Sequence, residues 1–375
     1  MSLITTATHL GDAVADPYAA LAGQLGAQQV IGMLRRACRD GVDAVPDAPE
    51  ELRAFIADME RRPTWLDMDR IERGATASRV PSAFLTPYLI RGVFLATFTN
   101  TYAALPMTLT GTLSGRRAAR RVHETAYFFS VTTLPGALER HGPGFEAAAM
   151  VRLMHSMVRW TALTRGGWDA ATFGLPIPQV DQMPAGLVNM YLLARGALAG
   201  GRTEFTEEER DVLEFCRYRC FLLGLPEELL PTDAEEIVRV FHARAATLRH
   251  GFDDATCGEL VRSTMAARLQ PGQSRRDDLL EFVEQAWSRV SFCRAFAGGD
   301  RQRSATMSVP VTLRDLAVIA LTTPFVLGRT TVAARARRVR VLAGPVDAWA
   351  QRVLRSRLGS YGHPEFSADP DRTDA

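Results

Sequence analysis

The chain has 375 residues, 47% hydrophobic and 23% charged, the balance of a globular protein with a sizeable core. A net charge of +2 excludes the strongly basic surface that nucleic-acid binding requires. All 44 basic residues are arginine, which excludes Schiff-base lysines, lysine-anchored pyridoxal phosphate and the Walker lysine.

Five cysteines, Cys38, Cys216, Cys220, Cys257 and Cys293, are odd in number and scattered. They form no disulfide framework and are expected to be core thiols in a reducing compartment. The opening MSLITTATHLGDAVADPYAA lacks a basic stretch followed by an apolar one, so no secretory signal is expected and a cytoplasmic location is the default. Residues 1–15 are expected to be a loose segment, 16–345 one all-α domain, and 346–375 a C-terminal helix with a polar tail from Ser367.

Taken in order, Leu21 to Arg39 carries apolar groups at helical spacing. Asp47-Ala48-Pro49-Glu50 predicts the opening of a second helix, with Asp47 as cap, a proline in the first turn, and Leu52, Phe55, Ile56 and Met59 as the buried face. Gly92 to Gly115 is the longest uncharged run, and its 24 residues would suffice to cross a bilayer. Six threonines, Asn100 and Pro106 speak against a span, because hydrocarbon leaves polar groups unsatisfied, and predict a buried helix beside an internal site. Ser114 to Thr133 is a helix with Arg121, Thr125 and Phe128 on one face and His123 and Glu124 alongside. Its arginines Arg116, Arg117 and Arg120 suit a solvated face.

Phe145 to Arg165 is a helical pattern centred on His155. Val151, Met154, Val158 and Ala162 share a face, so His155 beside them points at least partly inward. Arg152 and Arg159 lie about one turn to either side. A histidine there is either a core residue satisfied by a carbonyl or a ligand for a buried group that is part metal and part anion.

Phe173 to Asp181 holds two prolines in three residues and reads as a rigid loop. Leu187 to Leu198 is an apolar helix, and Thr206 to Glu209 has capping-box spacing for the next. Asp233 caps a helix over Ala234 to His250. Helices over Asp277 to Phe296, Leu313 to Leu327 and Arg329 to Leu358 follow. Arg335, Arg337, Arg338 and Arg340, interleaved with valine and alanine, suit either peripheral contact with an anionic membrane surface or an ordinary solvated face. No strand series appears, so the predicted class is all-α. The chain lacks a GxSxG elbow, a GxGxxG turn, a CxxCH haem attachment and the Glu-xx-His pairs of di-iron bundles.

Arg121-xxx-Thr125, then Val151-Arg-Leu-Met-His155-xxx-Arg159, then Gly174-x-Pro-Ile-x-Gln-x-Asp181 together resemble the oxygenase family that includes MpaB and the latex-clearing rubber oxygenases. Pro63-x-Trp65-x-Asp67 upstream and Tyr218 through Pro231 downstream are similar as well, so the resemblance spans roughly residues 15 to 340. It implies a globin-like all-α core holding haem b, with His155 as the proximal iron ligand. It also implies Arg152 and Arg159 as partners of the haem propionates, and Arg121 and Thr125 on the distal side orienting oxygen or substrate. The implied reaction is dioxygen-dependent cleavage or oxidation of a C=C bond in an apolar, isoprenoid-like metabolite. Two positions depart from the pattern: Glu124 stands where the rubber oxygenases carry lysine, and Leu89 to Ser114 holds no carboxylate where their catalytic glutamate lies. Glu124 is the base that the motif offers in its place; the departures point to a changed substrate or reaction type, and the expected lack of an export signal speaks against rubber. A haem enzyme of another reaction type and a non-catalytic haem- or lipid-binding protein are the alternatives.

Overall fold

The computed structural model describes residues 6–109, 116–165, 167–181, 186–247 and 251–361. No strand forms among the described residues, and the protein is all-α. Its principal helices are α1 (Ala15–Ala20), α2 (Ala27–Asp40), α3 (Glu50–Glu60), α4 (Met68–Phe84), α5 (Thr86–Leu95), α6 (Thr101–Leu109), α7 (Arg116–Val131) and α8 (Pro143–Thr164). They continue as α9 (Leu187–Ala199), α10 (Glu207–Leu222), α11 (Ala234–Thr247), α12 (Glu259–Ala266), α13 (Arg275–Phe296), α14 (Leu313–Thr323), α15 (Arg329–Arg337) and α16 (Arg340–Tyr361). The described residues divide into two compact units. The first lies within Met1–Ser78 and Val131–Arg249, the second within Arg79–Ser130 and His250–Glu365.

In the first unit α1, α2 and α3 pack with α8. Leu52, Phe55, Ile56 and Met59 form the buried face of α3, as their spacing predicts, and each large apolar side chain so buried contributes about 1.5–3 kcal/mol. Tyr18 of α1 lies edge-on to Phe55 and donates its hydroxyl to the carbonyl of Val30 at 2.7 Å. The helix expected over Leu21 to Arg39 is broken at Gly26, whose φ of +84° stops one turn and starts α2. Asp47 does not cap α3: it sits in a left-handed turn at φ +50°, and Pro49 takes the N-cap position. The segment expected to be loose carries buried groups, since Ala7 and Asp12 are each 1% exposed. Further along, the capping boxes at Thr206 and Ser274 form with both reciprocal bonds, and Asp233 caps α11.

In the second unit α5 packs on α13. Arg91, fully buried, bonds to Glu281 and Glu284 of α13 and to the carbonyls of Thr264 and Ala267. Burial pushes the Glu284 carboxyl up against the pull of Arg91 and Ser288. Phe94, Phe98, Val122, Ala126, Val261 and Phe292 belong to the adjoining apolar cluster. The uncharged run from Gly92 is not one helix. It turns at 96–100, where Asn100 caps α6 and Thr101 bonds to Asp253 and the Gly251 carbonyl, and its last residues, 110–115, lie outside the described residues. Among the described residues, the unbent helical run long and apolar enough to cross a membrane is instead Leu313–Arg337, α14 joined to α15 by a π-helical turn at Pro324–Gly328. The helix expected over Arg329 to Leu358 is two helices, α15 and α16. His250 and the polar tail lie outside the described residues. All five cysteines are buried.

Candidate functional site

Helix α8 starts at Gly142, with Pro143 in its first turn and Glu146 near its positive end. Ala149, Arg152, Ser156 and Arg159, at spacings of three, four and three, form its buried face. Val151, Met154, His155 and Val158 form a half-buried face. The spacing argument thus picks the right faces without ranking their depths: the arginines are buried, as is Ala162, while Val151, Met154 and Val158 around His155 remain partly open.

Arg152 is 4% exposed. Its Nε and Nη2 donate to Asp12, the latter at 2.9 Å, and Nη1 donates to Asp58 at 2.7 Å. Arg159 donates through Nε and Nη2 to Asp16 at 2.9 and 2.8 Å and through Nη1 to the Ile177 carbonyl. Every guanidinium nitrogen of the pair is therefore committed within the chain. In the structure, carboxylates of the N-terminal segment and of α3 hold the two guanidinium groups that the resemblance assigns to haem propionates. Burial alone would raise the Asp12 carboxyl, but its bonds to Arg152 and to the Val14 and Ala15 amides outweigh that and hold it below 3.8. In the same way the two aspartates raise Arg152 against the effect of its burial.

The proline-rich loop closes over this lattice. The Gln179 backbone amide donates to the Leu10 carbonyl at 2.9 Å and its side-chain amide to the Gly224 carbonyl at 2.8 Å. Asp181 bonds to Arg244. Ile177, at φ +47°, is a β-branched residue in the left-handed region, held there by Arg159. Gly224 has φ +82°, and a Cβ there would lie 2.7 Å from both the Arg152 guanidinium carbon and the Gln179 side-chain nitrogen. Gly224→Ala is expected to cost about 2–4 kcal/mol, from left-handed strain plus displacement of a doubly paired arginine. A urea midpoint lowered at unchanged slope is the measurement that checks it.

On α7, Ala118, Val122 and Ala126 face the core of the second unit, while Arg121, Glu124 and Thr125 are half-buried. Arg121 bonds to Glu124 at 2.6 Å, and Arg120 reaches the other carboxylate oxygen at 3.4 Å. Arg120 is thus 40% exposed and paired, rather than simply solvated. The Thr125 hydroxyl donates to the Arg121 carbonyl at 3.0 Å. His123 turns elsewhere, with Nε2 3.1 Å from the Leu269 carbonyl. A carbonyl only accepts, so that nitrogen carries the proton; burial lowers the imidazole's affinity for a second one.

Each unit therefore gathers one group of predicted residues: His155 with Arg152 and Arg159 in the first, Arg121 with Glu124 and Thr125 in the second. Sequence reasoning missed Asp12, Asp16 and Asp58, and also Glu227, which accepts from the Trp65 indole at 2.8 Å and so ties together two stretches of the motif set. The signal available was two aspartates one turn apart near the N-terminus, a spacing that complements two inward arginines two turns apart on α8.

The architecture defines an all-helical fold class that a solved structure shares. The structure of latex clearing protein LCP in the closed state superposes with a TM-score of 0.60 at 18% identity, covering 94% of this chain and 91% of the other. The sequence places it within that class: residues 82–356 match the model of the ER-bound oxygenase mpaB/B'/rubber oxygenase catalytic domain, and the chain belongs to this oxygenase family. No curated protein sequence matches it.

Proposed function

We propose that the protein is a haem b-dependent oxygenase that uses dioxygen on the C=C bond of a small apolar, isoprenoid-like metabolite, with His155 as the iron ligand. The observation that carries this reading is the half-buried face of α8, where one imidazole stands among Val151, Met154 and Val158. That donor set fits haem: a single nitrogen ligand framed by apolar side chains on a helix of an all-α scaffold. Bound there, haem b supplies the dioxygen chemistry that side chains lack.

The residues of the chain then divide the remaining tasks. Val151, Met154 and Val158 keep water from the imidazole. Asp12, Asp16, Arg152 and Arg159 fix the rotation of α8 and so the direction of His155. Arg121, oriented by Glu124, offers a fixed positive charge to oxygen or substrate, and the Thr125 hydroxyl stands one turn from it. Glu124, paired with Arg120 and Arg121, acts by positioning Arg121 and is the carboxylate available to hold a proton.

Reconstitution of the purified protein with haemin tests the reading. A Soret band at one haem per chain and oxygen uptake with unsaturated isoprenoids are expected. Arg121→Ala should keep the band and lower uptake about a hundredfold, the cost of losing one charge-stabilising donor. Absence of a Soret band would overturn the haem assignment, and a band without oxygen uptake on any unsaturated substrate would overturn the oxygenase.

A further inference from the structure

The inner face of the Leu313–Arg337 run is fastened to α13. Asp315 pairs with Arg289 at 3.0 Å, Thr322 accepts from the Trp287 indole at 2.9 Å, and Val326 closes a cluster with Tyr88 and Trp287. These residues follow one another at helical spacing. Its outer face is apolar and open: Leu313, Leu321, Phe325 and Val332 are 76%, 81%, 60% and 67% exposed. Val341 at the start of α16, 77% exposed, extends the patch. Single exposed leucines are ordinary, but a row of this size along one helix face is not.

Charge chooses the partner. From Leu316 to Val346 there are five arginines, Arg329, Arg335, Arg337, Arg338 and Arg340, and no acidic residue, although the whole chain is close to neutral. An apolar row beside a purely cationic cluster matches the acyl boundary and headgroups of an anionic bilayer. We infer that α14, α15 and the start of α16 form a docking face for anionic lipid membranes, with the helices lying in the plane of the interface. Spanning is excluded by the inner face, because crossing would strip Asp315, Thr322 and Val326 from α13 and place the Asp315 charge in hydrocarbon. Leu321 and Phe325 enter the acyl boundary, while Arg335, Arg338 and Arg340 reach phosphate and carboxylate groups, as guanidinium geometry favours.

The test uses the intact protein in co-sedimentation with vesicles of phosphatidylcholine alone and of phosphatidylcholine mixed with phosphatidylserine. Binding to the mixed vesicles only, weakened by salt, is expected. Arg335→Ala with Arg338→Ala should weaken it about 25-fold, about fivefold for each arginine. Leu321→Glu with Phe325→Glu, both at exposed positions and checked for unchanged helicity, should weaken it at least about tenfold. Equal binding to both vesicles, or no response to either pair of substitutions, would overturn the proposal. So would a lipid-free dimer that the Leu321 and Phe325 pair dissolves, which would assign the face to a second copy of the chain. None of these readouts depends on haem or oxygen uptake.

Discussion

His155→Ala is expected to abolish the Soret band of the reconstituted protein while leaving its melting temperature within a few degrees of the parent. The two halves of that result have separate causes. Loss of the band follows because the imidazole is the one nitrogen donor on this face of α8, where Val151 and Val158 offer none. Retention of the fold follows because the imidazole is half-buried, and truncation of a half-buried side chain costs about 1 kcal/mol. Free imidazole added to the variant should restore part of the band by filling the space the side chain leaves. A variant that kept the full band would remove His155 from the iron.

Asp12→Ala should have the opposite signature, a large loss of stability with secondary consequences for the cofactor. The substitution removes two bonds from a guanidinium that is 4% exposed and leaves it with Asp58 alone. Breaking a buried pair from one side costs about 3–5 kcal/mol, chiefly because the remaining charge is stranded. Chemical denaturation should report that loss, and the parent protein should approach it on acidification. The Asp12 carboxyl is held below 3.8 in the folded protein. Its contribution is therefore complete above that value and disappears as the pH falls through the lower folded value. A pair that behaved identically from pH 7 down to pH 2 would contradict the assignment.

Much of the fold was legible because it was written locally. The capping box at Thr206, the buried set on α3 and the α8 helix depend on neighbours within a few residues, and each formed close to its predicted place. The resemblance motifs were legible for the same reason. What stayed hidden depended on distance along the chain. Nothing near Arg152 announces Asp12 or Asp58, so its place beside His155 could be read but its partner could not. Periodicity identifies which residues share a face without saying which face is deeper, so the greater depth of the α8 arginines was hidden. The membrane-length run was sought as the longest uncharged stretch, which led to Gly92. The helical run at Leu313 carries Arg314, Asp315 and Arg329, and the rule passed over it.

The Asp12–Arg152 and Asp16–Arg159 pairs join positions 140 and 143 residues apart. During synthesis the aspartates emerge long before their arginines, and the whole of 79–130, which belongs to the other unit, is made in between. The first unit therefore cannot close in step with translation: α1 and α3 wait with buried-type carboxylates still hydrated until α8 arrives. A topology of such long sequence separation folds slowly, because loop entropy is lost before the contacts that reward it. The lattice that fixes α8 is in this sense a late-closing clasp, and the helix that carries His155 is the piece that completes it.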